Sequence, residues 1–427
     1  MTAVMSVALA VLFFALIMAS IALHEVGHLV PAKLFGVKVT QYFVGFGKTL
    51  WSTTRGGTEY GFKALPFGGF VKLVGMYPPK REGVKKGWLT RMADDARSYE
   101  YESITPADEG ALLYQKPVWQ RIIVMLGGPM MNILLAFVIF GVLNASYGTY
   151  QPTLQVAAVS ECIIPADRAD QTCTADDPVT PAVQAGVEVG DRVVSFNGTT
   201  VDSWSQLSDL IRANLDHAAA LVVEREGEQI SLPVVTTVVT AVPDRLDPAK
   251  TVEAGFLGLG PSSELVKGGV GTTAQQMWQM TRQSVVAIGS FPVKTWNVLV
   301  DMVTGQPRDA NGPISVVGAS RVAGELGVNA DISRGDKFAT WFSLLGSINL
   351  FVALLNLVPL MPLDGGHIAG ALWDGLRRAW ARLRRRPLPA PVDTAKLLPV
   401  AYLVGGFLVL AGGILIVADI FAPVSLF

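Results

Sequence analysis

His24-Glu25-Val26-Gly27-His28 places two imidazoles and a carboxylate within five residues. On a helix, positions i and i+4 lie one above the other on one face. His24 and His28 can therefore share one metal ion, and Glu25 can serve as base for water held at that ion. The setting sharpens the reading. No charged residue precedes His24, and Met1–Leu23 is an uncharged apolar run. Ionisable groups inside a bilayer are expensive, so they point to function by default.

Two histidines are half a site. Catalytic zinc takes three protein ligands and keeps a position open. The third expected ligand is Asp364, in Asn356-Leu357-Val358-Pro359-Leu360-Met361-Pro362-Leu363-Asp364-Gly365-Gly366-His367. It is the first charge after the uncharged run 338–363, and the prolines and glycines around it break a helix. A carboxylate completes a tetrahedral two-histidine, one-acid zinc centre. His367 is a rival ligand, weighted as a nearby polar group rather than a direct one. Of the four histidines, only His217 lies outside these motifs; it reads as a surface residue.

These side chains need elements to hold them. The 427 residues are 50% hydrophobic and 16% charged with a net charge of −1, which fits several spans plus a water-exposed part. Nothing in that balance points to nucleic acid. Runs long enough to cross a bilayer are Met1–Leu23, Ile122–Tyr147, Phe338–Leu363 and Leu397–Ala418. The first lacks a basic n-region and a small-residue cleavage pattern, so it is expected to be a retained span rather than a signal peptide.

Basic residues in short loops set orientation. Arg377, Arg378, Arg382, Arg384, Arg385, Arg386 and Lys396 place the loop between spans three and four in the cytoplasm. Alternation puts residues 30–121 inside, with Lys80, Arg81, Lys85 and Lys86, and residues 148–337 outside. Between the first two spans, Tyr42–Gly47 and Thr58–Leu73 are aromatic, β-branched and glycine-punctuated, as in short strands. They are too apolar for a solvated loop and read as a hairpin dipping into the membrane face. Residues 78–110 are charged and read as a cytoplasmic loop. In the second span, Gly127-Gly128-Pro129-Met130-Met131-Asn132 reads as helix packing by the glycines and a polar contact by Asn132. Cys162 and Cys173 are not a CxxC pair and have no histidines nearby, which excludes a zinc ribbon; a local disulfide and two free thiols both stay open. Met277, Met280, Ser284, Ile288, Phe291, Thr295 and Val298 recur at helical spacing over 271–300. That helix lies on the outer membrane face or against the bundle, or else faces the core of the outside domain.

Together these motifs resemble the site-2 protease family of intramembrane zinc metalloproteases, in its bacterial branch with an extracytoplasmic PDZ domain. The carriers are HEVGH at 24–28, GFG at 45–47, PFGGFVKL at 66–73, GGPMMN at 127–132, NGPI at 311–314 and NLVPLMPLDGGH at 356–367. Residues 180–198, TPAVQAGVEVGDRVVSFNG, resemble the PDZ signature. One PDZ-like module is found, so the chain is closer to single-PDZ members. The expected architecture is a polytopic α-helical membrane protein with four transmembrane helices, a membrane-associated β-hairpin and an extracytoplasmic PDZ-like α+β domain. The expected segments are a first transmembrane helix at 1–30, a β region and loop at 31–117, a second helix at 118–148 and the PDZ domain at 153–237. An amphipathic helical region at 255–335, a third span at 338–367 and a fourth at 397–422 follow.

The resemblance implies His24, His28 and Asp364 as Zn2+ ligands, Glu25 as catalytic base, and Asn356 as a residue that binds substrate backbone. It implies partners as well: single-span membrane proteins such as anti-sigma factors or remnant signal peptides, already trimmed by another protease. A cytoplasmic-membrane location follows, with the site near the cytoplasmic side. Two other classes compete. A non-catalytic PDZ-bearing scaffold with a structural metal would not need Glu25. A metal transporter would carry polar residues through several spans, and the second and fourth have almost none.

Overall fold

The computed structural model describes residues 2–79, 104–164, 168, 172–247, 250–309 and 312–424. The chain forms two compact units, residues 1–141 with 273–427, and residues 142–272.

In the first unit, helix α1 (Thr2–Leu34) carries the uncharged run and continues through the HEVGH motif to Lys33. Strands β1 (Val39–Arg55) and β2 (Thr58–Leu73) follow, joined at Gly56-Gly57. The ladder is folded on itself. Tyr42 pairs with both Val71 and Tyr60, and Phe43 with both Phe70 and Gly61, while Thr53 pairs back on Tyr60. Residues 39–44 therefore lie between 58–62 and 69–73, and 69–73 forms an edge. Helix α2 (Val118–Ser146) is next. The loop expected at 78–110 lies outside the described residues at 80–103.

The second unit is a β domain. It contains β3 (Thr149–Val159), α3 (Pro181–Ala185), β4 (Arg192–Phe196), α4 (Trp204–Ala213), β5 (Leu221–Arg225), β6 (Glu228–Ser231), β7 (Val238–Pro243), β8 (Thr251–Phe256) and β9 (Leu259–Val266). The main sheet runs β9-β3-β4-β5-β6, with Thr199–Thr200 pairing beside β4. Its core gathers Val156, Val193, Phe196, Leu207, Leu221, Val223 and Leu257. Ser203 caps α4 by accepting from Gln206 N–H. Cys162 and Cys173 form a disulfide, which resolves that alternative. Beside it, Arg168 grips Asp177 at 2.7 Å and holds that carboxyl below the usual range. The domain runs further than 153–237: β9 pairs with β3, so residues 259–266, expected in a helical region, are strand. The pairing joins segments a hundred residues apart, which no local pattern shows.

Back in the first unit, α5 (Val270–Thr304) matches the helical spacing read over 271–300. A second helix within the helical region expected at 255–335, α6 (Val316–Val328), precedes the third span. It is rich in Gly and Ala and packs closely on α1, where Phe13, Ile17 and Met18 meet Ala319 and Ala323. Ser315 caps it, accepting from Val317 and Gly318 N–H. Of the NGPI motif, Asn311 lies outside the described residues. A buried ion pair fixes this corner. Arg308 meets Asp419 at 2.7 Å, and Asp419 also accepts the Ser315 N–H at 2.6 Å. Helix α7 (Arg334–Asn356) ends before the expected limits of 363 and 367. Pro359 and Pro362 cannot continue its hydrogen-bond ladder, and residues 357–363 are irregular. A new helix, α8 (Asp364–Leu383), then occupies part of what read as a loop. Helix α9 (Leu398–Phe421) closes the chain.

Among the described residues, four helical segments are long and apolar enough to cross a membrane: α1, α2, α7 and Thr394–Phe421. The chain is thus a multi-pass membrane protein with a β domain.

Candidate metal centre

The site is assembled from α1 and the start of α8, with α2 as its back wall. One turn of α1 stacks His24 over His28, and both are buried. Their Nε2 atoms stand 3.3 Å apart. Asp364 reaches them because α8 begins at that residue. Gly365 is pressed so closely on the carbonyls of Leu357 and Val358 that a β-carbon there would collide. Asp364 Oδ2 lies 3.4 Å from His24 Nε2 and 3.3 Å from His28 Nε2. That oxygen is buried without a hydrogen-bond partner.

This donor set fits one zinc ion. Tetrahedral donors at bonds of about 2.0–2.1 Å stand roughly 3.3–3.4 Å apart, and the three measured separations match. The ring orientation is set from behind. His28 Nδ1 donates to the Val124 carbonyl of α2 at 2.8 Å, which leaves Nε2 with its lone pair toward the site.

Helix α2 comes this near because Gly27 and Gly127 face each other with no side chain between them. Gly128 turns its Cα to the two imidazoles. A β-carbon there would lie 2.6 Å from His24 Nε2 and closer still to His28 Nε2. The glycine pair that read as helix packing is thus also a wall of the metal site. Asn132 is buried, but its Oδ1 has no hydrogen-bond partner among the described residues, so the polar contact expected of it is not seen there. A polar contact missed in the sequence joins α7 to α1, where Asn349 donates to Ser20 Oγ at 3.1 Å.

An open cleft of about 320 Å³ runs along the donors, with Glu25, Gly69, Val71 and Asn356 in its walls. A β-carbon on Gly69 would lie 3.4 Å from Glu25 Cγ, so the β2 edge abuts the carboxylate. The donor cluster of the described residues is His24, His28 and Asp364. His367 faces a separate apolar cavity with Tyr77, Leu398 and Tyr402. His217 is exposed in the β domain.

Comparison with known proteins decides the family. The model of peptidase family M50 matches residues 12–409. The chain belongs to peptidase family M50. This is the site-2 protease family that the motifs resemble. Similar proteins cover nearly its whole length. Zinc metalloprotease Rip1 of Mycobacterium tuberculosis is 34% identical, with 98% of each chain covered. Rip1 of Mycolicibacterium smegmatis is 32% identical at the same coverage. A putative zinc metalloprotease of Mesorhizobium japonicum, mll0638, is 26% identical over 91% of each chain.

Proposed function

We propose that this M50 member is an intramembrane zinc metalloprotease in which His24, His28 and Asp364 hold the ion and Glu25 is the catalytic base. The observation that carries the reading is the triangle of donors, closed by a carboxylate from the far end of the chain. Zinc, when bound, lowers the pKa of water to about 7 and polarises the scissile carbonyl.

The chain's own groups do the rest. Glu25 takes the proton as water attacks and returns it to the leaving amine. His28, oriented by Val124, keeps its Nε2 directed at the site. Water reaches the reacting bond through the open cleft, which the apolar spans on either side would otherwise exclude.

The substrate is a transmembrane segment. A helix hides its carbonyls in its own hydrogen bonds, so the segment must unwind before it is cut. The edge at Gly69, Phe70 and Val71 offers backbone for strand addition beside Glu25. Among the described residues no strand pairs on its far side. Asn356 holds the opposite side of the unwound backbone. The full substrates are single-span proteins, such as anti-sigma factors or remnant signal peptides, trimmed beforehand by another protease.

The β domain works as a PDZ-like size filter or tail reader outside the cell. The charge pattern and the Cys162–Cys173 disulfide, a bond of oxidising compartments, support that side. The metal site then lies near the cytoplasmic face of the cell membrane.

The decisive experiment is Glu25→Gln in purified protein presented with a transmembrane substrate. Zinc is expected to stay bound while cleavage falls by about 10²–10⁴-fold. Cleavage at the wild-type rate refutes the assigned base.

A further inference from the structure

Among the described residues, nothing covers one face of helix α8. Leu372, Trp373, Leu376, Trp380 and Leu383 are each more than half exposed. At 100° per residue the five fall within an arc of about 100°. The opposite arc, with Ala371, Asp374 and Ala381, is buried, and Asp374 binds Arg121 of α2. Arginines border the apolar arc. Arg382, Arg384, Arg385 and Arg386 are exposed, and the Arg384 guanidinium stacks on Trp380 at 4.3 Å from the ring centroid.

The contacts of α8 fix its level in the membrane. Gly375 lies against Val118, the first residue of α2, and Gly370 against Thr394, in the turn entering α9. Arg121, which holds Asp374, is also in the first turn of α2. The helix therefore crosses the end of the bundle where two spans begin. It carries too many charges to be a span itself. Tryptophan prefers that boundary, and arginine stems reach from it to headgroups.

We infer that α8 is an interfacial helix that seats its Leu/Trp face in the headgroup–acyl boundary and its arginines on anionic phospholipid. Charge complementarity selects the lipid, and continuity with the spans at Val118 and Thr394 places the surface. Seating α8 also steadies the element that begins with Asp364.

The test uses the full chain in phosphatidylcholine vesicles with and without phosphatidylglycerol. A nitroxide is placed by Leu376→Cys, and separately by Arg385→Cys; the native cysteines are in their disulfide. The label at 376 is expected to be open to oxygen, closed to an aqueous nickel chelate, and deeper with phosphatidylglycerol. The label at 385 is expected to meet the chelate. Reversing Arg382, Arg384, Arg385 and Arg386 to Glu should cut the enrichment of spin-labelled phosphatidylglycerol at the protein by about fivefold or more. A label at 376 that meets the chelate in both vesicles overturns the proposal. Dipolar coupling between labels at 376, which assigns the face to a second copy, also overturns it, as does undiminished lipid selectivity after charge reversal.

Discussion

Gly128 turns its Cα toward His28 so closely that a β-carbon would collide with Nε2, the atom that faces Asp364. The smallest residue on α2 thus leaves the space a metal needs. Gly128→Ala should push both imidazoles off the triangle. Bound zinc per protein is expected to fall, with an affinity loss of about 10–100-fold, the range typical of residues that orient metal ligands. Helix content should be unchanged, because alanine is the better helix former. Full zinc occupancy in the variant would show that the imidazoles can yield.

Asp364→Asn tests the far ligand. The amide keeps the shape but loses the charge that makes a good zinc ligand. Chelation of the wild-type protein should abolish cleavage and added zinc should restore it. In Asp364→Asn, zinc is expected to be lost at chelator concentrations that leave the wild type loaded. Equal resistance to chelator would remove Asp364 from the ligand set.

The HEVGH motif and Asp364 were legible in the sequence because charge inside an apolar run is costly, so each stands out without any knowledge of the fold. The hairpin was legible from its aromatic and β-branched residues between Tyr42 and Leu73. What stayed hidden depends on partners distant in sequence. Gly128 reads as packing until α1 is seen against it. Strand β9 is visible only through its pairing with β3. The arginines of α8 read as a loop charge, although Leu372, Leu376, Trp380 and Leu383 carry a helical spacing that could have revealed it.

The β domain should be acid-sensitive in part through the Asp191 carboxylate. Arg225 holds the Asp191 carboxyl below its usual range, donating to Oδ1 at 2.7 Å and to Oδ2 at 2.8 Å. Glu188 N–H adds a third bond at 2.9 Å. A depressed carboxylate stabilises the fold fully above its unfolded pKa of about 3.9, and that contribution is lost as pH falls through the lower folded value. Hydrogen exchange of β4 and β5, corrected for intrinsic rate, should therefore accelerate below about pH 4. Asp191→Asn is expected to cost about 2 kcal/mol at neutral pH and to flatten that acid response. An unchanged acid profile in Asp191→Asn would place the sensitivity elsewhere.

The β2 edge makes a prediction that separates substrate pairing from folding. Proline removes one backbone N–H, and its effect depends on where that N–H points. Along residues 58–73, an N–H directed at β1 holds the hairpin and the Val71 N–H bonds the Glu25 carboxylate, whereas one directed outward at Gly69 or Phe70 is available to a substrate strand. A proline scan of 58–73 should yield two classes. Prolines that break the ladder with β1 are expected to lower zinc content and cleavage together, since the hairpin lies against Glu25. A proline at 69 or 70 should leave zinc content intact and lower kcat/KM for a transmembrane substrate by about tenfold, one lost hydrogen bond's worth. If every variant that keeps its zinc cleaves at the wild-type rate, the substrate does not add a strand at this edge.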